Sequence, residues 1–554
     1  MRNILKEKAV VKKLIAAETL GSVTTICIDK TGTITEGNLH VSSSNFSDNE
    51  MLKLIMAFAN NNLDVLEKVT HTWTDSHIGT LDPELASSYE RIQVLPFNSS
   101  NKFTATLVKH LRGEYTILVF GAAEILLNAS SSSPEEIKRW NNEINTLTHA
   151  GTKVLGYGYK TIPASDISDD IDLSDISDIT FIGIHGLSDP IRDGIKDTLA
   201  QTKEAGISVK IVTGDHLATS ISIGKEAGVI DSSHDGRPYY LLGDDLDALS
   251  DDELKNVVSD IILFARVTPK QKYRIVRILG QMGEVVAMTG DGVNDAPAIK
   301  LAPVGVVVNE ASEVSKEVAD IILLDSNLRT IVKSVAEGRT IHANIKKVTL
   351  YLLSDSMSEL ILIMSSLVLK LPLAVTAAQI LWINLIEDSL PALTLSQEPA
   401  ERDVMKMKPR RPDARILDKP MLKVMLFFVL ITDLALVSIY VYVINNGLDL
   451  AMTRTLIFAV LGIDSMIFIF SCKTYTKSIF RYNPFSNKYL NVSVLFGLVL
   501  LVASIYVPFL NIILQTVPLY PELWLVIFSA GLFNLVTIET LKAIFICGKY
   551  DQYV

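Results

Sequence analysis

The sequence predicts a soluble α/β part built on a parallel sheet, followed by an α-helical transmembrane bundle of about six helices. Short β-branched runs that end in Thr, Gly and Asp alternate with helical segments, which is typical of a parallel sheet. From about residue 41 to 170 the pattern changes to mixed short strands and helices, as expected for an inserted α+β domain. After about residue 345 the apolar residues concentrate in stretches near the roughly 20 residues that a helix needs to cross a bilayer.

The composition of the 554 residues supports this division. A hydrophobic content of 48% is high for a soluble protein. The net charge of −11, with no basic domain, argues against nucleic acid as a partner. Cys27, Cys472 and Cys547 lie far apart in the sequence, so we expect neither a disulfide framework nor a zinc site.

An acidic turn follows the first buried strand that the sequence predicts. The apolar run 23–28 leads into Asp29 and Lys30, with Thr31 and Gly32 next. Open α/β sheets bind ligands at the carboxyl ends of their strands. A carboxylate there can attack a phosphoryl group, and Thr and Gly offer hydroxyl and N–H groups to phosphate oxygens. We interpret Asp29 as a nucleophile; the alternative is an ordinary surface turn.

Two later strands are predicted to end in similar turns. The run 209–212 leads into Thr213, Gly214 and Asp215, which place a hydroxyl and a backbone amide where a phosphate can bind. The run 285–288 leads into a second acidic turn that contains Asp291, Asn294 and Asp295. Either turn taken alone has a structural explanation, but their recurrence at strand ends of one sheet favours a common site.

This group of carboxylates suits a magnesium ion. Mg²⁺ takes hard oxygen ligands and bridges phosphate oxygens. We therefore expect Asp29 and Asp291 to be magnesium ligands together with the carbonyl oxygen of Thr31, while Asn294 and Asp295 anchor the site from behind.

The run Asp-Lys-Thr-Gly-Thr-Ile-Thr, from Asp29 to Thr35, is the phosphorylation signature of the P-type ATPases, and the chain resembles their branch of calcium and sodium pumps. The resemblance implies a haloacid dehalogenase-like, Rossmann-like phosphorylation domain that uses ATP and Mg²⁺ as cofactors. It also implies that Lys272 neutralises phosphoryl oxygens and that Arg266 contacts the nucleotide. The strand-end residues that it makes catalytic are Asp29, Lys30, Thr31, Thr213, Gly214, Asp215, Asn294 and Asp295.

The inserted domain resembles a nucleotide-binding domain. The stretch from Phe97 to Lys102 is similar to one in sodium pumps where the aromatic ring stacks on adenine and the lysine approaches the nucleotide. A lone Phe is more often a core residue. Two positions depart from the family: Phe120 replaces a lysine of the pocket, and Lys153 replaces an arginine and cannot form its planar fork. We expect these changes to alter nucleotide affinity or base preference.

The resemblance and the composition shifts together give expected domain limits. Residues 1–17 are predicted to form a basic helical lead-in. The acidic low-complexity stretch 163–180 precedes the apolar run 181–184, which we interpret as the return to the phosphorylation domain. The expected segments are 1–40 for the lead-in and first part of the phosphorylation domain, 41–175 for the nucleotide-binding domain, 176–345 for the second part of the phosphorylation domain and 346–554 for the transmembrane domain.

Six membrane helices are expected after the soluble part. They lie near 349–370, 374–396, 421–443, 455–472, 490–513 and 522–546. Lysine and arginine concentrate in the loops after the second and fourth helices, so the positive-inside rule places these loops and the soluble domains in the cytoplasm. The sequence therefore predicts a multi-pass integral membrane protein whose partner is the lipid bilayer.

Carboxylates inside the predicted helices indicate a cation site, because charged groups in a bilayer are costly and usually functional. Asp355 and Glu359 share one helix face, whereas Asn384, Glu387 and Asp388 share another. The resemblance assigns ion binding to Glu359 and to positions 384–388, although Glu387 stands where the related pumps have threonine and Ser356 where they have asparagine. Pro391 is expected to free backbone carbonyls there, and Asp464 is a weaker candidate that equally suits a paired structural acid.

The sequence is compatible with two functions. The first is a P-type pump that couples ATP hydrolysis, through an aspartyl phosphate, to transport of Ca²⁺ or another cation. The alternative is a non-pumping, membrane-anchored phosphatase-like or regulatory protein. In the family, an actuator domain and four membrane helices precede the nucleophile strand, whereas only 28 residues precede Asp29 here. We therefore expect poor turnover by this chain alone, unless a second polypeptide supplies those parts.

Overall fold

The computed structural model describes residues 2–61, 64–98, 101–163, 176–231, 238–290, 292–401, 403–411, 414–474 and 477–546. The chain divides into two compact units. The soluble unit comprises Arg2–Lys13 and Val23–Val332, and the membrane unit comprises Leu14–Ser22 and Lys333–Val554.

The regular elements are numbered in chain order. The described strands are β1 (Ala9–Val11), β2 (Thr25–Ile28), β3 (His40–Phe46), β4 (Tyr89–Leu95), β5 (Phe103–His110), β6 (Tyr115–Ala122), β7 (Lys153–Ile162), β8 (Thr180–Ser188), β9 (Ser208–Val212), β10 (Tyr240–Leu242), β11 (Leu263–Ala265), β12 (Val286–Gly290), β13 (Val304–Val308) and β14 (Ile321–Leu323). The described α-helices of the soluble unit and lead-in are α1 (Arg2–Lys6), α2 (Leu14–Leu20), α3 (Asn49–Phe58), α4 (Val65–His77), α5 (Pro83–Ser87), α6 (Ala123–Asn128), α7 (Pro134–His149), α8 (Ile195–Glu204), α9 (Leu217–Glu226), α10 (Gly243–Ala248), α11 (Asp251–Val257), α12 (Pro269–Gln281), α13 (Ala296–Leu301) and α14 (Glu313–Val318). The later helices are α15 (Leu328–Val368), α16 (Ala377–Trp382), α17 (Ser389–Leu395), α18 (Lys419–Asn445), α19 (Leu450–Cys472), α20 (Lys488–Tyr506), α21 (Pro508–Leu514) and α22 (Pro521–Phe545).

An eight-stranded sheet forms the first layer of the soluble unit, in the order β1-β14-β13-β12-β2-β9-β11-β10. Every neighbouring pair is parallel except β1 and β14. Strands β2, β12 and β13 are buried along their whole length, as expected for a parallel sheet covered by helices on both faces. The parallel α/β sheet predicted from the sequence is confirmed.

The lead-in differs from the predicted single helix. Its residues Ala9–Val11 form β1, which pairs with β14 at one edge of the sheet. A three-residue strand between lysines is too short to show a period of two, so the sequence pattern could not distinguish it from a helix.

A six-stranded antiparallel sheet forms the inserted domain, in the order β3-β8-β7-β6-β5-β4. The run 181–184 lies in β8, which pairs with β3 and β7. The assignment of residues 181–184 to the phosphorylation domain was therefore wrong. A buried apolar run has the same sequence pattern in either sheet, so the sequence could not distinguish the two. We now propose that the insertion extends from His40 to Ser188.

The membrane unit has five described helices that are long and apolar enough to cross a membrane: α15, α18, α19, α20 and α22. The predicted span 374–396 is instead divided into α16, a π-helical turn at Ile383–Asp388, and α17. The predicted span 490–513 is also divided, because Pro508 lacks an N–H group and begins α21.

Two glycines bring α2 and α15 into backbone contact within the membrane unit. A Cβ added to Gly338 would lie 2.6 Å from the nitrogen of Gly21 and 2.7 Å from the carbonyl oxygen of Ala17. A Cβ added to Gly21 would lie 2.7 Å from the nitrogen of Arg339. No larger residue fits at either position without separating the two helices.

We predict that Gly338→Ala lowers the free energy of unfolding by about 1–3 kcal/mol, the usual cost of overpacking. Gly280→Ala is the matched control, because a Cβ on this helical glycine would meet nothing within 4 Å. Thermal unfolding in detergent should show a lower midpoint for the first variant and an unchanged or higher one for the second. Equal midpoints for Gly338→Ala and the parent would contradict the close packing.

Candidate functional site

Three neighbouring strands bring the predicted catalytic turns together. Strand β2 lies between β12 and β9, and Cys27 is in register with Met288 on one side and Lys210 on the other. Because the three strands are parallel, the residues that follow them emerge at one edge of the sheet. The prediction that these turns end strands of one sheet is confirmed.

Asp29 lies in a buried ion-pair chain at this edge. The Nζ atom of Lys272 is 2.5 Å from Oδ2 of Asp29 and 3.0 Å from Oδ1 of Asp295. Lys272 comes from α12, whose first turn is fixed by a capping box between Thr268 and Gln271. The side chains of Lys272 and Asp295 are each 6% exposed, so this single ammonium group is shared between two carboxylates away from bulk water.

Burial dominates the electrostatics of Asp29. It raises the pKa of this carboxyl group to about 6, against the lowering effect of the Lys272 ammonium and with a further raising effect from Asp295. Burial lowers the pKa of Lys272, but the two carboxylates outweigh that effect and its pKa is raised overall. Lys272 therefore stays protonated while Asp29 titrates just below neutral pH.

The turn after Asp29 is a π-helical segment, Lys30–Ile34. The backbone N–H of Asp29 donates to Oγ1 of Thr289, at 3.1 Å, which joins the end of β2 to the end of β12. Gly32 has a φ of +73°, a conformation that favours glycine. The side chain of Thr31 lies outside the described positions.

Arg192 also contacts this turn, a role that the sequence pattern does not predict. Its guanidinium donates to the carbonyl oxygens of Thr35 at 3.0 Å, Gly32 at 3.1 Å and Glu36 at 3.2 Å. One sequence feature could have indicated this role. Arg192 lies just after the last strand of the insertion, where the chain returns to the segment that contains Asp29.

The turn after β9 contributes a second charged contact. Lys30 and Asp215 form an ion pair, and the backbone N–H of Asp215 donates to Oγ1 of Thr213 at 3.2 Å. Arg266 has a φ of +55°, and its guanidinium lies 2.8 Å and 3.0 Å from the two ring nitrogens of His216. Gly214 and Arg266 are both exposed at this edge.

The turn after β12 brings in only part of the predicted set. A Cβ on Gly290 would lie 2.8 Å from Oδ2 of Asp295, so glycine is required for this carboxylate to reach Lys272. Asn294 is exposed. Asp291 lies outside the described residues.

The donors predicted for magnesium are all hard oxygen atoms, which suit that ion. Of them, Asp29 and the backbone of Thr31 are described at the strand end, whereas Asp291 lies outside the described residues. Within the described part of the chain, no three His, Cys, Asp or Glu side chains are grouped so as to hold a metal ion.

The nucleotide residues predicted in the insertion meet at one end of its sheet. Phe97 follows β4, Lys102 precedes β5 and Lys153 begins β7. Because β4, β5, β6 and β7 are consecutive antiparallel strands, these three positions lie at the same end of the sheet. Phe97 is 59% exposed, and both lysines are exposed. Phe120 instead is buried and stacks on Tyr157 with ring centroids 5.9 Å apart, so it packs into the core.

In the membrane unit, the predicted cation residues occupy facing segments. The Asn384 amide donates to both carboxylate oxygens of Glu359, at 2.7 and 2.9 Å, and joins the π-helical turn to α15. Asp388 accepts from the hydroxyl groups of Tyr351 at 2.9 Å and Ser465 at 2.5 Å. Asp355 interacts electrostatically with Asp388, and its Oδ2 atom has no hydrogen-bond partner among the described residues.

Glu387 lies against α19. It is fully buried, and within the described structure neither of its carboxylate oxygens has a hydrogen-bond partner. A Cβ on Gly462 would collide with its Oε2 atom, so glycine there makes room for the longer acid. Pro391 follows the π-helical turn and cannot donate a backbone hydrogen bond, which is consistent with the irregular helix at this point.

Comparison with known proteins agrees with this arrangement. Residues 23–303 match the family model of haloacid dehalogenase-like hydrolases, and residues 372–544 match that of the cation transporting ATPase C-terminus. Similar proteins are a calcium-transporting ATPase of Bacillus subtilis, 32% identical over 95% of this chain and 64% of its own length, and calcium-transporting ATPase 1 of Saccharomyces cerevisiae, 34% identical over 92% and 59%. Calcium-transporting ATPase 1 of Lactococcus lactis is 32% identical over 97% of this chain and 64% of its own length.

The chain belongs to the haloacid dehalogenase-like hydrolases, whose model matches more than half of it. Its carboxyl-terminal part matches the model of the cation transporting ATPase C-terminus, and the similar proteins reported above are calcium-transporting ATPases. The chain spans about six tenths of the length of the curated relatives that it matches.

The raised pKa of Asp29 predicts a pH-dependent stability. The fold favours the protonated carboxyl group, so its contribution is fully present below the unfolded value of 3.8 and is lost as pH rises through about 6. The loss is on the order of 2–3 kcal/mol, at 1.36 kcal/mol per pKa unit. Asp29→Asn cannot ionise, so its thermal midpoint should rise relative to the parent between pH 4.5 and 7.5. Exposed Asp193 is the control for an Asn substitution; parallel pH profiles for the parent and Asp29→Asn would contradict the pKa.

Proposed function

We propose that this protein is the catalytic and membrane part of a pump in which ATP phosphorylates Asp29 and drives Ca²⁺ or another cation across the membrane. The observation that supports this most is the ion-pair chain Asp29–Lys272–Asp295 at the edge formed by β12, β2 and β9. It combines a carboxylate nucleophile with a fixed buried cation, which is the pairing that phosphoryl transfer requires.

In the proposed step, a carboxylate oxygen of Asp29 attacks the γ-phosphorus of ATP. The bond from that phosphorus to the bridging oxygen breaks, and ADP leaves with the electron pair. Lys272 neutralises charge on the phosphoryl oxygens, and Asp295 keeps the ammonium group in place. The ion pair of Lys30 with Asp215 fixes the adjacent turn. Ionised Asp29 is the reactive form, so the step is favoured above about pH 6.

The proposed nucleotide site lies at the end of the antiparallel sheet. Exposed Phe97 offers a face for adenine stacking, and Lys102 and Lys153 offer positive charge to the phosphates. Arg266 is proposed to contact the nucleotide from the edge of the parallel sheet. The related pumps have a lysine at the position of Phe120. Because the Phe120 ring is buried, the pocket loses the lysine charge but is not filled by the aromatic ring.

Magnesium would be held by Asp29, Asp291 and the carbonyl oxygen of Thr31, with Asn294 and Asp295 behind them. When bound, the ion supplies positive charge to the phosphate oxygens.

We expect Asp29→Asn to abolish phosphoprotein formation, because the amide keeps the shape but is not a nucleophile. The purified protein would be incubated with γ-labelled ATP and Mg²⁺, quenched in acid and treated with hydroxylamine, which cleaves acyl phosphates. Asp193→Asn is the control, since Asp193 is exposed. Hydroxylamine-sensitive label on Asp29→Asn would refute the assignment of the nucleophile.

The transported cation is proposed to bind between α15 and the π-helical turn. Glu359, Asn384 and Asp388 bring oxygen atoms from two segments together, and Asp355 and Glu387 add carboxylate oxygens without hydrogen-bond partners among the described residues. Carboxylates in a low-dielectric region need a counter-charge, which a cation provides. This cluster favours a pump over the phosphatase-like alternative, which has no need of it.

Orientation and partners are part of the same proposal. The basic loops after α17 and α19 support a cytoplasmic side for these loops by the positive-inside rule, and the soluble unit is proposed to be cytoplasmic as well. The proposed partners are the transported cation and the lipid bilayer.

For the cation cluster, we predict that Glu359→Gln and Asp388→Asn each shift the cation dependence of phosphorylation to at least about tenfold higher concentration, because each removes a ligating charge. Phosphoprotein would be measured across a series of Ca²⁺, Mn²⁺, Na⁺ and K⁺ concentrations. Glu522→Gln serves as the control, because Glu522 is exposed in the first turn of α22. An unchanged dependence in both cluster variants would show that the cation binds elsewhere.

A further inference from the structure

A cavity of about 430 Å³ lies within the membrane unit and is separate from the residues of the cation cluster. Helices α18, α19 and α22 form its walls, and α15 adds one residue. Much of the lining is aliphatic or aromatic. Its polar members are Ser358, Thr432, Asp433, Asp464, Ser529 and Asn534.

Two carboxylates in the lining each have one oxygen atom without a hydrogen-bond partner in the described structure. Asp433 is 3% exposed, and its Oδ2 atom has no hydrogen-bond partner in the described structure. Asp464 on the next helix is half-buried, and its Oδ1 atom also has no hydrogen-bond partner in the described structure. The described lining contains no Lys, Arg or His side chain. Two acids that face one cavity without a cationic side chain leave a negative charge that the low-dielectric surroundings make costly.

The neighbouring polar groups present lone pairs to the cavity. The hydroxyl hydrogen of Thr432 is donated to the Phe428 carbonyl at 2.8 Å, and that of Ser358 to the Ser354 carbonyl at 3.3 Å. With its hydrogen used within its own helix, the Thr432 hydroxyl oxygen remains as an acceptor. The Ser358 side chain also interacts with the Asp433 carboxyl group. The Asn534 side chain interacts with Asp464, in keeping with its amide hydrogens being directed at that carboxyl group.

We propose that this cavity binds a hard, oxygen-coordinated inorganic cation at a second intramembrane site, with Asp433 and Asp464 as its charged ligands. Oxygen atoms alone select such ions over softer metals. The volume accommodates an ion with several waters, since one water occupies about 30 Å³ in the liquid. Oδ2 of Asp433 and Oδ1 of Asp464 have no hydrogen-bond partner in the described structure, so these two atoms do not share a proton with each other. The site stands independently of the proposed pump cycle.

The test uses the full chain in detergent and measures equilibrium binding of radioactive Ca²⁺, Na⁺ and Rb⁺. A background variant that combines Asp355→Asn, Glu359→Gln, Glu387→Gln and Asp388→Asn removes the four carboxylates of the first cluster. We expect at least one of the three ions to bind this background with a stoichiometry near one. Adding Asp433→Asn should weaken that binding by at least about tenfold, and Asp464→Asn should do the same.

Folding is controlled by the thermal midpoint of each variant and by Glu522→Gln, which changes an exposed acid of α22 and should leave binding unchanged. If one of the cavity variants fails to fold, the other decides the question. Absence of binding to the background variant by all three ions would overturn the proposal. Binding that survives both Asp433→Asn and Asp464→Asn would overturn it as well. Because phosphorylation is not measured, these results do not depend on whether Asp29 is the nucleophile.

Discussion

The buried ammonium group of Lys272 between Asp29 and Asp295 is the interaction on which the soluble unit depends. Three segments far apart in the chain supply these residues, and only the order of β12, β2 and β9 brings them together. A lysine in this position would be costly without the two carboxylates, and each carboxylate would be costly without the lysine. The sheet order, the capping box of α12 and Gly290 are therefore all needed to position these three side chains.

Much of this arrangement is predictable from local patterns. A β-branched run followed by Thr, Gly and Asp identifies a strand and the chemistry at its end, so Asp29, Thr213 and the turn after β12 were found without a structure. What the pattern does not contain is pairing. The strand β8 carries the same apolar signal in either sheet, and only its contacts with β3 and β7 decide where it belongs.

Residues that act through backbone contacts were harder to predict. Arg192 binds three carbonyl oxygens. Every residue has a backbone carbonyl group, so the sequence does not show which positions are contacted. The direction of a side chain is equally hidden. Phe120 takes the place of a pocket lysine in the related pumps, yet its ring is directed into the core and packs on Tyr157. In the membrane unit, the acids were visible from the sequence, whereas the division of their helix by a π-helical turn was not.

The pairing of β3 with β8 has a consequence for how such a chain can be assembled in evolution. His40 and Ser188 are direct partners across the two strands, so the insertion leaves and re-enters the parent fold at adjacent points. Thr35 and Ile191 form a further bridge just outside it. A segment whose ends already meet adds little loop-closure entropy to its host. The inserted domain can therefore be lengthened, shortened or exchanged between homologous genes, while the geometry around Asp29 is inherited unchanged.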